Sequence, residues 1–150
     1  MNEDTIEKTI KYIEDGILEH KVKLKNIKHI KKIFNGVLDF TSSISWEDSS
    51  FLQLTCLVEK PKKIMEIGTW IGMSTYSMAL ASNAPIYTCD EGPDNFFITP
   101  YKKSCLDRII RHPNTHSSAF VKKIDGGFDF IFSDASLTDS DAKNLFAKCE

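Results

Sequence analysis

The residues best placed to do chemistry lie in the segment 63–75, which reads K-I-M-E-I-G-T-W-I-G-M-S-T. An apolar run over 64–67 predicts a buried strand, and Gly68 and Gly72 follow it directly. Open α/β sheets bind ligands where a strand ends in a glycine turn that leads into a helix. Gly68 permits a tight turn and close approach of a ligand, and Gly72 lets the helix pack closely on the sheet. The segment therefore predicts a small-molecule site.

The same segment discriminates between ligand classes. A dinucleotide fingerprint, G-x-G-x-x-G, needs a middle glycine to make room for the pyrophosphate, and Trp70 occupies that place. Glu66 adds a carboxylate that repels a pyrophosphate but tolerates a cation. A sulfonium ligand that carries an amino group is therefore favoured. A nucleotide-dependent oxidoreductase remains the less favoured enzyme class.

A second acidic residue follows the next predicted strand. The segment I-Y-T-C-D ends at Asp90, 22 positions after Gly68. A carboxylate about 20 residues after the glycine turn is the usual acceptor for ribose hydroxyls in nucleotide-binding sheets. Glycine turn and acid together predict that the ligand contains a ribose.

These residues need a parallel sheet to bring them together. From Lys62 onward, short apolar strands alternate with helices, which is the pattern of an α/β fold with right-handed crossovers. We predict a Rossmann-like doubly wound parallel sheet. Its strands are expected at 64–67, 86–89, about 114–118 and 128–133, with helices after Gly72, after Pro100 as far as Ile110, and at the end of the chain.

The region before the sheet has a different character. Isoleucines at helical spacing predict N-terminal helices within residues 1–45, and the α/β domain is expected to span 46–150, beginning with a helix over about 47–59. A lysine-rich stretch, 21–32, suggests either a nucleic-acid contact or a solvated helix face. The solvated face is favoured, because the stretch lacks aromatic platforms and the net charge is only -2.

The cysteine pattern and the hydropathy of the chain indicate its cellular environment. The four cysteines form no C-x-x-C pair, which favours reduced, structural thiols. No apolar run approaches the roughly 18 residues of a membrane span, and the N-terminus lacks the apolar core of a signal peptide. We therefore expect a cytoplasmic protein with no membrane partner. His112 and His116 flank Pro113, which disfavours a helical metal site.

The glycine turn, Asp90 and the last predicted strand together resemble the motifs of a known family. The segment E-I-G-T-W-I-G-x-S-T resembles motif I of class I S-adenosylmethionine-dependent methyltransferases, and more narrowly the small-molecule O-methyltransferase-like branch. Asp90 matches the ribose-binding acid of that family. The segment F-D-F-I-F-S-D-A, residues 128–135, resembles its fourth strand. The similarity covers residues 62 to about 148.

The resemblance implies S-adenosylmethionine as cofactor and assigns roles to individual residues. Glu66, Gly68, Thr69 and Gly72 would shape the methionine pocket, and Ser74 would lie beside it at the start of the helix. Trp70 is a further cofactor-binding residue. Asp90 would bind the ribose, and Glu91 or Gly92 would border the adenosine. Ser118 is a candidate contact near the adenine, on the predicted third strand.

Asp134 is the implied catalytic residue. At the end of the fourth strand it would face the transferred methyl group, either as general base or as a metal ligand; the alternative is a helix cap. In cation-dependent relatives a downstream Asp-Asn pair usually joins this acid, and no such pair follows here, so a divalent cation is left open. The expected acceptor is a small molecule, most simply a hydroxyl.

The sequence also departs from the family. The full domain has seven strands in the order 3-2-1-4-5-7-6, whereas only about four are found here. We therefore expect a fragment of a longer protein, since strand four would otherwise expose an apolar edge. A non-catalytic binding module remains the alternative. The N-terminal helices are candidates for a lid over the acceptor or for a homodimer contact.

Overall fold

A computed structural model of the protein describes residue 11 and residues 44–96, 103–135 and 137–149. The helices are α1 (Trp46–Glu59), α2 (Met73–Ala81), α3 (Lys103–Leu106), α4 (Ser117–Lys123) and α5 (Asp139–Phe146). The strands are β1 (Ile64–Ile67), β2 (Ile86–Cys89), β3 (Ile109–His112) and β4 (Phe130–Ser133). The N-terminal helices predicted before residue 44, with their lysine-rich stretch, lie outside the described residues, apart from a helical Lys11.

The four strands form one parallel sheet in the order β3-β2-β1-β4. Strand β1 pairs with both β2 and β4, so that Ile64 lies opposite Ile86 and Phe130. The strand order changes direction at β1, which creates a topological switch point beside its carboxyl end. Helices α1 and α2 pack on one face of the sheet and α4 and α5 on the other. The predicted Rossmann-like doubly wound sheet is thereby confirmed.

Helix α1 begins where the sequence predicts and is anchored against α2. Ser45 and Asp48 form a reciprocal capping box at its N-terminus, which satisfies backbone donors that the first turn leaves free. Lys60 ends the helix in a left-handed conformation with φ of 48°. A buried hydrogen bond of 2.7 Å joins the hydroxyls of Ser49 and Ser77. Helix α1 is therefore a fixed wall beside α2.

The structure corrects the prediction for residues 103–123. The helix expected to reach Ile110 ends at Leu106, and the third strand is Ile109–His112, not 114–118. Ile109 lies opposite Ile86 in the parallel register. The isoleucine pair at 109–110 fits the stripe of a helix as well as a strand, and pairing with β2 decides between them. Residues 114–116 instead form the turn into α4, which His116 caps, and residues 117–118 are the first two residues of that helix.

The cysteines are free thiols, and three of them are structural. Cys56, Cys89 and Cys105 are buried, whereas Cys149 is exposed. Burial raises the pKa of Cys56 and of Cys89 to about 12, so neither is a thiolate near neutral pH. Among the described helices, none is both long enough and apolar enough to cross a membrane.

Candidate functional site

The turn after β1 is held against the neighbouring strands. The backbone N–H groups of Gly68 and Thr69 both donate to the carbonyl of Cys89, at 2.9 and 3.1 Å. Gly68 has φ of +96°, and a Cβ there would lie 3.2 Å from the carbonyl carbon and oxygen of Asp134. Only glycine meets both the left-handed backbone and this close approach without strain. The turn therefore places the ends of β1, β2 and β4 side by side.

Gly72 begins α2 and lies against the loop after β2. It is the N-cap of α2 with φ of +88°, and a Cβ there would lie 2.3 Å from the ring of Phe96. The close neighbour is thus an aromatic side chain from the loop after β2, not the sheet. The sequence alone does not indicate this contact, because 24 residues separate the two positions.

Glu66 is buried on the α2 face of the sheet, behind the turn. One carboxyl oxygen accepts a hydrogen bond of 2.5 Å from the hydroxyl of Thr75, and the other is buried with no hydrogen-bond partner. Burial raises the pKa of this carboxyl to about 7, against the opposing effect of the Ser74, Thr75 and Thr88 hydroxyls. Ser74 is buried beside it. These two predicted ligand contacts therefore support the turn from within the protein.

The raised pKa of Glu66 predicts a pH-dependent stability. The folded protein holds a proton on this group between the ordinary value of 4.5 and about 7, whereas the unfolded chain does not. The contribution of Glu66 to the free energy of unfolding is therefore greatest below pH 4.5 and is lost as the pH rises through about 7. Glu66→Gln should remove the loss and stabilise the protein at pH 8 by up to about 3 kcal/mol. Urea unfolding of the parent protein and of Glu66→Gln at pH 5 and 8 measures the free energy of unfolding. An equal pH dependence in the two proteins would contradict the prediction.

Thr69 and Trp70 attach the turn to β2 and to the loop that follows it. The hydroxyl groups of Thr69 and Thr88 are hydrogen-bonded to each other in the protein interior. Trp70 has a positive φ of 45°, and its backbone N–H donates to a carboxyl oxygen of Asp90 at 2.7 Å. The sequence places Trp70 in the turn but does not indicate this contact of its backbone with the acid of the next strand.

Asp90 joins two backbone segments at the end of β2. One of its oxygens accepts the Trp70 N–H, and the other accepts the N–H of Gly92 at 2.8 Å. Each carboxylate oxygen can accept further hydrogen bonds. The acid is therefore oriented by the protein while it retains the capacity to bind hydroxyl groups.

Glu91 lies beside the N-terminus of α4. Its carboxylate is 3.2 Å from Nε2 of His116. The other ring nitrogen of His116, Nδ1, accepts the N–H of Ser118 at 3.2 Å and lies 2.9 Å from the Ser118 hydroxyl. Glu91 thereby links the end of β2 to the cap of α4.

These elements surround an open cavity of about 240 Å³ at the carboxyl ends of β1 and β2. Its lining residues are Ile67, Gly68, Cys89, Asp90, Glu91, Thr115, Ser117 and Ala135. Three of the predicted contacts, Gly68, Asp90 and Glu91, thus line one space. Glu66, Thr69, Trp70, Gly72 and Ser74 lie around the turn that forms one side of it, outside this lining set.

Ser117 is the cavity residue that the sequence analysis missed. It is buried, and its hydroxyl has no hydrogen-bond partner. Buried hydroxyls are normally paired, so one at a cavity wall indicates a place for a ligand atom. Ser118, the predicted contact, belongs to the first turn of α4 and is not in the lining set. A correct placement of β3 would have identified Ser117 as the first helical residue after the strand.

Asp134 follows β4 and lies next to the turn. Its backbone N–H donates to the carbonyl of Ile67 at 2.9 Å, which extends the β1–β4 pairing by one residue. Its side chain is largely exposed, and partial burial, followed by the charge of Asp48, raises its pKa above the ordinary value. Within the described ranges, no three His, Cys, Asp or Glu side chains are grouped so as to hold a metal ion.

Comparison with known proteins identifies relatives of this arrangement. A family model described as "Methyltransferase domain" matches residues 65–150. No curated protein is similar enough to the chain to count as a match.

Several solved structures share the fold. A Podospora anserina methyltransferase bound to SAH has a TM-score of 0.64 at 22% identity, covering 99% of this chain and 65% of its own. A Bacillus cereus O-methyltransferase in complex with SAH has a TM-score of 0.60 at 20% identity, covering 83% and 60%. The O-methyltransferase TomG of Streptomyces achromogenes, in complex with SAM, has a TM-score of 0.56 at 16% identity, covering 82% and 58%. The chain spans less than two thirds of the length of each.

Proposed function

Because the chain belongs to the family of methyltransferase domains, we propose that it binds S-adenosylmethionine and takes part in methyl transfer to a hydroxyl group of a small molecule. The observation that carries the proposal is the cavity between Gly68 and Asp90. It lies beside the switch point of the sheet, where this class of fold binds its ligands. The O-methyltransferases among the similar structures, which hold SAH or SAM, support the same cofactor.

We assign the nucleoside half of the cofactor to the β2 side of the cavity. Asp90 would accept hydrogen bonds from the ribose hydroxyls with the capacity that Trp70 and Gly92 leave free. Glu91 would border the adenosine. Ser117 would pair its free hydroxyl with a polar atom of the adenine. This orphaned hydroxyl, beside an acid already oriented, fits a nucleoside.

We assign the methionine half to the turn after β1. Gly68, Thr69 and Trp70 would present their backbone to it, with Gly72 opening α2 behind them. Glu66 and Ser74 would act on it through the turn that they support, because both are buried on the α2 side. In its ionised form, above a pKa of about 7, the Glu66 carboxylate would favour the positive charges of a sulfonium and an ammonium over a pyrophosphate.

In the proposed mechanism the protein mainly positions the reactants. When bound, S-adenosylmethionine supplies an electrophilic methyl group, and its transfer neutralises charge instead of creating it. The cavity walls would hold the acceptor oxygen in line with that methyl group. Asp134, next to Gly68, would take the proton of the acceptor hydroxyl, and its raised pKa makes its carboxylate a stronger base.

The described residues do not fit a divalent cation at this site. Asp134 has no two further acidic, histidine or cysteine side chains grouped with it in the ranges that the structure covers. We therefore propose Asp134 as a base. The alternative of a helix cap is not supported, because Thr138 caps α5.

The proposed setting follows from the same observations. Free thiols at Cys56, Cys89 and Cys105 support a reducing, cytoplasmic location. A small-molecule acceptor is the proposed partner, and a nucleic-acid partner is not proposed, given the net charge of -2. A homodimer contact through the N-terminal helices remains a prediction.

The test is a calorimetric titration of the folded protein with S-adenosylhomocysteine, and with NAD as the control. Binding of S-adenosylhomocysteine alone, at micromolar concentration, is expected. Binding of NAD would favour the oxidoreductase, and binding of neither ligand would favour the non-catalytic module.

Ser117 and Ser118 form a matched pair for a second prediction. Ser117→Ala should weaken S-adenosylhomocysteine binding by about 1 kcal/mol, because it removes a buried hydrogen-bonding group from the cavity wall. Ser118→Ala should leave the affinity unchanged, since its hydroxyl contacts Nδ1 of His116 and does not line the cavity, while its backbone N–H keeps the cap. Calorimetry on both variants measures the difference. A loss confined to Ser118→Ala would restore the assignment made from the sequence.

A further inference from the structure

The loop after β2 folds back over the glycine turn and is clamped from the edge of the sheet. Arg111 lies on β3, opposite Thr88 of β2. Its Nη1 donates to both carboxylate oxygens of Asp94, each at 2.6 Å. The loop is thus tied to the edge strand by a charge-assisted contact.

The same guanidinium contacts the aromatic residue at the end of the described loop. It lies 5.0 Å from the ring centre of Phe96, within the range of a cation–π interaction. Phe96 is only 6% exposed, and its ring fills the space above Gly72 at the start of α2. Arg111 therefore supports the residue that packs on the N-cap of α2.

The other end of this loop carries the candidate ribose acid. Asp90 is held by Trp70 and Gly92, and a small cavity of about 10 Å³ lies among Trp70, Asp90, Asp94 and Arg111 with their neighbours. Neither Arg111 nor Asp94 lines the 240 Å³ cavity. An isolated exposed ion pair contributes little to stability, but here one guanidinium contacts both the exposed Asp94 and the buried Phe96 of the same loop.

We propose that Arg111 is a positioning residue, which fixes the segment 90–92 for the ribose through its contacts with Asp94 and Phe96. The proposal rests on the proposed binding of S-adenosylmethionine. It predicts that Arg111 affects the affinity through Asp90, without touching the ligand itself.

The experiment is a set of calorimetric titrations with S-adenosylhomocysteine on this chain. Arg111→Met and Asp94→Asn should each weaken binding by about threefold to tenfold, and the double variant by no more than the worse single one, because both remove the same contact. Added to Asp90→Ala, Arg111→Met should have no further effect. Arg111→Lys should recover part of the affinity by keeping the charge. Lys122→Met, an exposed position on α4, is the control and should match the parent protein.

The possible outcomes distinguish the proposed binding of S-adenosylmethionine from the proposed role of Arg111. A parent protein that does not bind S-adenosylhomocysteine refutes the proposed function together with the role of Arg111. A parent protein that binds, with Arg111→Met unchanged or lowered only in thermal stability, refutes the positioning role alone. Losses that add fully to that of Asp90→Ala refute it as well, since they show that Arg111 does not act through Asp90.

Discussion

Gly68→Val should abolish the binding of S-adenosylhomocysteine. The backbone at this position has φ of +96°, which a β-branched residue adopts only under strain. The new Cβ would also lie 3.2 Å from the carbonyl group of Asp134. Relief of this contact must separate the turn from β4, and with it the wall that Gly68 forms in the cavity. Calorimetric titration of the purified variant measures the loss.

A second glycine provides the control for this substitution. Gly126 precedes β4, and a Cβ there would meet nothing closer than 3.8 Å, so Gly126→Val should bind like the parent protein. If Gly68→Val fails to fold, as judged by circular dichroism, Gly68→Ala tests the same point with a smaller group. Unchanged affinity in a folded Gly68 variant would remove the turn from the proposed site.

Asp90→Ala should weaken S-adenosylhomocysteine binding by about 1–3 kcal/mol, which is a factor of roughly 5 to 150 in Kd. The variant loses the charge-assisted hydrogen bonds to the ribose and also releases the N–H groups of Trp70 and Gly92. Calorimetry gives the change in affinity, and thermal unfolding without ligand reports how far the loosened loop contributes.

Two further variants separate charge from structure at this position. Asp90→Asn keeps one oxygen acceptor but no charge, and should lie between the parent protein and Asp90→Ala. Asp107→Ala removes an exposed acid from the turn after α3 and should leave the affinity unaltered. If Asp90→Ala binds as tightly as Asp107→Ala, the ribose assignment is wrong.

The fold class and the centre of the site could be predicted from local patterns. A strand, a glycine turn and a helix at 64–81 read directly from the residue order, because strand burial and turn geometry depend on adjacent residues. The acid at the end of β2 was found in the same way. These elements bring Gly68 and Asp90 to one cavity, as the parallel sheet requires.

The positions of β3 and α4 could not be predicted in the same way. The segment 109–112, I-I-R-H, offers only two apolar residues, which also continue the apolar stripe of the helix predicted before it, and its pairing with β2 makes it a strand. The sequence therefore pointed to Ser118, whereas the structure places Ser117 in the cavity wall. The sequence also could not predict which face of the sheet the Glu66 side chain occupies, because both faces of a parallel sheet are covered.

The sequence by itself determined the parallel α/β architecture, the glycine turn and the acid that follows the second strand, because each depends on residues close together in the chain. Only the tertiary structure decided which side chains share the cavity wall and which support it from behind. Ser117 at the wall, Phe96 over Gly72, and Arg111 on Asp94 all join separate elements. Such contacts depend on strand order and register, which bring distant residues together by packing and leave no local pattern in the chain.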